Sequence, residues 1–296
     1  MRARTFTHAA WLIAPCLWAC STSSEPKGRE APPKSAVDAA QPAASKPALI
    51  REPKFAARVT GNALPSAPAP AAAPSLRWNL DAGRAYAYDI KVEGAQRADG
   101  RQQQLAWGGT LVVEGQGSDQ ARFMLRDVTG AAAGRTPAGV ADKGLGQGLL
   151  NGARDAAEIL AAWLPHENLI LPDRALAVGE SATIPIFLTT NFGEGPVRLD
   201  GQVVIKLTGY VQAGGKTLAR LESTLSLARE GTSGGKEWIV GRAGKGVILF
   251  DPAAQSVHSA EAASSSQFYF ATRGETAEDA FVSFTRNPAN DPPPGR

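Results

Sequence analysis

The stretch VRLDGQVVIKLTGYV, residues 197–211, decides the fold. Val197, Leu199, Val203, Ile205, Leu207 and Val211 occupy one parity, while Arg198, Asp200, Gln202, Lys206 and Thr208 occupy the other. Side chains of a strand point alternately to its two faces, so this pattern predicts a strand with one buried side and one wet side. Tyr86, Tyr88, Ile90 and Val92 alternate in the same way with Ala87, Asp89, Lys91 and Glu93. Further strands are expected at about 105–114, 121–128, 217–229, 237–240, 247–250 and 267–272. Turn groups such as Gly115 to Ser118, Gly214-Gly215 and Ser233 to Gly235 separate them. Short turns between alternating strands imply antiparallel pairing. The expected fold is therefore mainly β: a curved, half-barrel-like antiparallel sheet or, alternatively, a β-sandwich.

One segment departs from the period of two. Leu149, Ala153, Ala156, Ala157, Leu160 and Leu164 recur at three- and four-residue spacing, Arg154 and Glu158 form an i,i+4 pair, and Pro165 follows. This predicts one amphipathic helix, approached by the glycine-rich run Gly144 to Gly148. Packed on the sheet, it would either close part of a cavity or cover a filled core. A weak internal echo links two long hairpins, one built on Gly109 to Phe123 and the other on Gly201 to Leu221.

Composition excludes several classes. The 296 residues include 2 Cys, 3 His and a formal net charge of +3. That is too little Cys for a disulfide scaffold, too little clustered Cys and His for a zinc protein, and too small a basic excess for a nucleic-acid binder. The N-terminus reads as an address. Arg2 and Arg4 precede the apolar run Ala9 to Leu17, which at about nine residues is too short for a membrane-spanning helix of roughly 20. Leu17-Trp18-Ala19-Cys20 then resembles the lipobox of bacterial lipoproteins, in which the cysteine is acylated and becomes the new N-terminus. Trp18 departs from that pattern, which usually has a small residue there. The resemblance makes Cys20 the lipidation site and the membrane the partner reached through it. Ser21, in place of an Asp retention signal, favours the outer membrane, on its periplasmic side.

With cleavage before Cys20, the mature chain keeps about 277 residues, His166, His258 and a net charge near +1. It then has one acylated cysteine and no intramolecular disulfide. From Cys20 to Ser75 the chain is rich in Pro, Ala and Ser with no sustained apolar period, and reads as a disordered tether. The expected organisation is a signal peptide over 1–19, a tether over 20–75, a β-rich domain over 76–285 and a disordered tail over 286–296.

Catalytic patterns fail on context. Tyr210 to Thr217, YVQAGGKT, ends like a phosphate-binding loop but lacks the first glycine and the following helix. Ser233-Gly234-Gly235-Lys236 has Ser-x-x-Lys spacing inside a turn, and Gly179 to Thr183 lacks the second glycine of a nucleophile elbow. His166 and His258 have no neighbours at metal-ligand spacing. Trp78, Trp107, Trp163 and Trp238 fall one to an element, as core residues do.

Two resemblances follow. The order of lipobox, tether and strand-rich domain resembles uncharacterised envelope lipoproteins of Gram-negative bacteria, as do Leu171-Pro172, Val178-Gly179-Glu180 and Gly246 to Asp251. More loosely, the outline is similar to the lipoprotein-carrier and mycobacterial lipid-carrier superfamily, whose cavity holds acyl chains. Together with the scarcity of Cys and His and the small, dispersed basic charge, these resemblances point to a non-enzymatic envelope lipoprotein that binds a lipid, an acyl chain or a protein partner, with no cofactor, metal or nucleic acid. The alternatives are an assembly accessory without a small ligand and an enzyme with a carboxylate site assembled by folding.

Overall fold

The alternation around Val203 becomes β8 (Pro196–Ala213), which turns through Gly214-Gly215 into β9 (Lys216–Ser233). Both glycines have positive φ, 55° and 76°, which a two-residue hairpin turn demands and β-branched residues resist. The computed structural model describes residues 51–292 except 62–63, 99, 118–119, 135–137, 143–146, 151–168, 173, 192–195, 234 and 271–273. The other strands are β1 (Ser66–Ala67), β2 (Ala85–Ala98), β3 (Arg101–Gly117), β4 (Gln120–Gly130), β5 (Ala138–Asp142) and β6 (Gln147–Leu150). They are followed by β7 (Ser181–Asn191), β10 (Lys236–Asp251), β11 (Ser256–Phe270) and β12 (Gly274–Arg286).

All twelve strands belong to one sheet, in the order β1-β8-β7-β6-β5-β4-β3-β2-β12-β11-β10-β9. A single sheet sets aside the sandwich. Pairing is antiparallel throughout except between β6 and β7. Because β9 also pairs with β8, the sheet must curve back on itself. It does not form a regular barrel wall. On the β4–β7 side the long strands are bridged only by β5 and β6, of 5 and 4 residues, and the β6–β7 ladder joins Gln147–Leu149 to Phe187–Thr189.

Three expectations shift. The strands expected at 237–240 and 247–250 are one strand, β10, because Gly241 to Gly246 is paired with β9 on one side and β11 on the other. The sequence pattern did not single out β7 and β12. The expected helix loses its first turn: Leu149 and Leu150 belong to β6, while 151–164 lie outside the described residues. Both hairpins of the internal echo form, as β3–β4 and β8–β9.

In-phase residues from most of the strands meet in one apolar cluster on the concave side, including Tyr88, Ile90, Phe123, Ile205, Leu221, Ile248 and Phe284. One end is closed by the segment Leu76, Trp78 and Leu80, all buried. Trp78 Nε1 donates to the Leu169 carbonyl at 2.7 Å, and its ring stands edge-on to Tyr86 at 5.4 Å and Tyr88 at 6.2 Å. The Tyr86 and Tyr88 hydroxyls donate to the carbonyls of Asn79 and Val257 at 2.6 and 3.1 Å. Burial pushes both phenols up, Tyr88 well above its ordinary range, so they stay neutral donors.

Residues 51–75, placed in the tether by composition, include a strap on the face of the sheet opposite the core. Glu52 pairs with Lys245 at 2.5 Å, Lys54 with Asp279 at 2.6 Å and Arg58 with Glu93 at 2.9 Å. The Thr60 and Gly61 amides donate to the Glu261 carboxylate at 3.1 and 3.0 Å, and Arg58 stacks 4.2 Å from the Phe281 ring. Charge complementarity, which has no period, holds this segment, so hydropathy patterning could not reveal it. Its ion pairs are largely exposed and screened by salt. Trypsin cleavage after Lys54 and Arg58 is therefore expected to accelerate between about 0.05 and 0.5 M NaCl while cleavage within the strands does not. A salt-independent rate would show that the strap is held otherwise. The tail behaves similarly: Arg286 forks onto Asp291 with two 2.6 Å bonds, and the Ala87 amide donates to the same carboxylate at 2.8 Å.

Candidate ligand site on the concave face

Strand β10 carries Val240, Arg242, Gly244, Gly246 and Ile248 in one parity. Val240 and Ile248 belong to the core cluster, so the parity rule sends Arg242 to the concave side as well. Register then builds a row across five strands: Arg242 opposite Ser266, Ser266 opposite Glu278, Glu278 opposite Gln96, and Gln96 opposite Gln103. Arg242 is 1% exposed and Glu278 2%. Arg242 Nη1 donates to Ser266 Oγ at 2.6 Å and Nη2 to Ser264 Oγ at 2.8 Å. Gln96 Nε2 donates to Glu278 Oε1 at 3.2 Å.

The next row toward the closed end is made of small residues: Gly244, Ser264, Ala280 and Gly94. Gly94 is required there, since a Cβ would sit 2.5 Å from the Asp279 carbonyl oxygen. Beyond it lie Ala262, Val282 and Val92, then Ile248, Ala260, Phe284 and Ile90. The concave wall thus runs from polar to apolar. At about 3.3 Å per residue, the distance along β10 from Arg242 to Phe250 is roughly 26 Å.

In the other direction the row reaches the surface. A pocket of about 600 Å³ at the β2–β3 hairpin is lined by Gln96, Ala98, Arg101, Gln102 and Gln103. Gln96 belongs both to this pocket and to the buried row, so polar side chains lead from solvent to the Arg242 guanidinium. Trp107, opposite Val92 on β3, is buried, and its Nε1 has no acceptor among the described residues.

A second hollow, about 880 Å³, lies at the closed end between Pro68, Pro70, Pro74, Tyr210, Lys216, Asp251 and Pro252. Its charged groups have structural partners. Asp251 accepts from the Ala253 and Ala254 amides at 3.0 Å each, capping the β10–β11 turn, and from Lys216 Nζ at 2.8 Å. Burial pushes the Asp251 carboxyl up, but the Lys216 bond and the two amides outweigh it and leave it below the ordinary value. A lowered carboxylate contributes stability above its unfolded value near 3.9 and loses it as pH falls through the folded one. Lys216→Met removes part of the downward pull, so the acid limb of stability, read as the urea midpoint against pH, is expected to move to higher pH. His258, on β11 nearby, is lowered by burial and then by Lys216.

Of the residues selected by sequence, Cys20 and His166 lie outside the described residues. Tyr210 to Thr217 is strand, turn and strand, and Gly179, at φ 88°, precedes β7. Among the described residues no three His, Cys, Asp or Glu side chains group as a metal site would need. Sequence reasoning missed Arg242, Ser264, Ser266 and Glu278. The one available signal was a charged residue in phase with Val240 and Ile248, obscured by splitting β10 at its glycines.

No protein-family model and no curated protein sequence matches the chain. Among solved structures, the chain is similar to lipovitellin, in a structure concerned with its lipid–protein interactions, at 10% identity and a TM-score of 0.41. That match covers 74% of this chain and 26% of the other, so the chain spans about a quarter of it. It is also similar to the hypothetical lipoprotein YmcC of Escherichia coli, at 13% identity and a TM-score of 0.28, over 68% of this chain and 84% of that one. A DUF1329 family protein of Desulfovibrio piger matches at 10% identity and a TM-score of 0.18, over 71% and 86%. These likenesses assign this chain neither a family nor a ligand.

Proposed function

We propose that this chain is an envelope lipoprotein, anchored through Cys20 to the periplasmic side of the outer membrane, whose curved sheet binds an amphiphile. The polar end of the ligand lies along the row from Gln103 to Arg242, and its apolar chain extends toward Ile248 and Phe284. The observation that carries this reading is the gradient along the concave wall, which is polar from Gln103 through Gln96 and Glu278 to Arg242 and small or apolar from Gly244 to Ile248 and Phe284. Trp107 Nε1, further along the same wall, offers a donor for a carbonyl of the ligand.

The reading is one of binding without catalysis. Native mass spectrometry of the full chain carrying Cys20→Ser, after incubation with phospholipid vesicles, is expected to show lipid-bound masses. A clean apo mass would overturn the amphiphile reading. The anchor is tested separately: incorporation of a fatty-acid analogue is expected to vanish in Cys20→Ala, and label that persists would refute acylation there.

A further inference from the structure

We infer that the hollow at the closed end is a second binding site, for a neutral, mainly apolar ring compound with one hydrogen-bond acceptor. It stands apart from the amphiphile reading above: Asp251, in its lining, lies roughly 30 Å along β10 from Arg242. The volume of about 880 Å³ is within the range of small-molecule pockets. Backbone pairing fixes both rims. Ser66 and Ala67 pair with Val211 and Tyr210, the Gln212 amide donates to the Pro65 carbonyl at 2.9 Å, and Leu76 is buried. Between these anchors runs the segment Pro68 to Pro74, whose prolines have φ held by their rings and no N–H to satisfy. The other rim is the β10–β11 turn, held by the two amide bonds to Asp251.

The lining selects by charge and by shape. Lys216 and Asp251 answer each other at 2.8 Å, so neither is left for a ligand to neutralise. An ion entering would lose water without gaining a counter-charge, whereas a neutral molecule gives up little. Thr217 Oγ1 already accepts from Gln212 Nε2 at 2.8 Å. The remaining polar side chain is Tyr210, 5% exposed, whose hydroxyl has no hydrogen-bond partner among the described residues. Burial pushes this phenol up, so it is a neutral donor at physiological pH. A carbonyl oxygen on the ligand would give it the acceptor it lacks. Most of the rest of the lining is Pro and Ala, short or ring-locked side chains that keep their shape. Against such a preformed wall a rigid ring loses least freedom on entering.

The test titrates the full chain carrying Cys20→Ser with 6-propionyl-2-dimethylaminonaphthalene, a neutral two-ring fluorophore with one carbonyl. Saturable binding is expected. Ala253→Trp, at an exposed turn position lining the hollow, is expected to abolish it by filling the space, while phospholipid uptake on the concave wall is unchanged. Tyr210→Phe keeps the ring and is expected to weaken binding by about five- to tenfold. It is also expected to shift the bound emission to the blue, because the carbonyl loses the bond that stabilises its polar excited state. Should that variant not fold, 2-dimethylaminonaphthalene-6-sulfonate makes the comparison on the unsubstituted site. It has the same rings with an anion in place of the carbonyl and is expected to bind at least about tenfold more weakly. No saturable binding, or binding that survives Ala253→Trp, would overturn the site. Unchanged affinity and emission in Tyr210→Phe, or equal binding of the sulfonate, would overturn the ligand class.

Discussion

Arg242→Met is expected to give a folded protein that no longer takes up lipid, whereas Arg242→Ala is expected to lose stability as well. Alanine removes two charge-assisted hydrogen bonds, to Ser264 and Ser266, and leaves unfilled the volume of a fully buried side chain. Losses of that kind amount to about 3–5 kcal/mol. Methionine fills a similar volume with a flexible apolar chain and removes the desolvation of the guanidinium, but leaves the Glu278 carboxylate buried in the row without that cation, so a loss smaller than that of alanine is expected. The Glu278 carboxylate is then the one buried charge left in the row, and Arg242→Met with Glu278→Gln is expected to be at least as stable as the single variant. Urea midpoints and native mass spectrometry read the two effects separately. A well-folded Arg242→Met protein that binds lipid as before would remove the guanidinium from the site.

Trp78→Ala is expected to open the closed end and to cost about 3–5 kcal/mol. Trp78 is 4% exposed, makes two edge-to-face contacts and donates the bond that ties the Leu76–Leu80 segment to Leu169. For a domain of this size such a loss lowers the melting temperature by roughly 10 °C. Trp78→Phe keeps most of the buried ring but leaves the Leu169 carbonyl without its donor, a deficit of about 1–2 kcal/mol. The expected order of melting temperatures is therefore native, Phe, then Ala. An Ala variant melting with the native chain would show that some other segment closes this end.

The two sites differ in how far they were legible. Tyr86, Tyr88, Ile90 and Val92 announce their strand because both faces are marked, one by aromatic and branched side chains and the other by charges. Strand β11 gives no such signal over Ala262 to Ser266, where both parities are small. Those residues are buried because long neighbours lie over them: Arg242 across Ser264 and Ser266 on one face, and Asp279, bonded by Ser265 and Lys54, on the other. A small residue records only that something larger sits beside it. The partner is identified by register, and register between distant strands is a tertiary property. The strap at Arg51 to Gly61 is hidden for a related reason, since its fixation comes from Lys245, Asp279, Glu93 and Glu261, all far away in the chain.

The sequence by itself determined that this is a strand protein, where three of its turns fall, and which side of β2 and, up to Leu207, of β8 is dry. A period of two and positive-φ glycines are local facts that survive in one dimension. Only the tertiary structure decided that the strands form one curved sheet rather than two stacked ones, that Leu76 to Leu80 closes one end, and that Arg242 and Glu278 share a row. Each of these depends on which strand lies beside which, and that is set by burial summed over the whole chain, where no single segment carries the information.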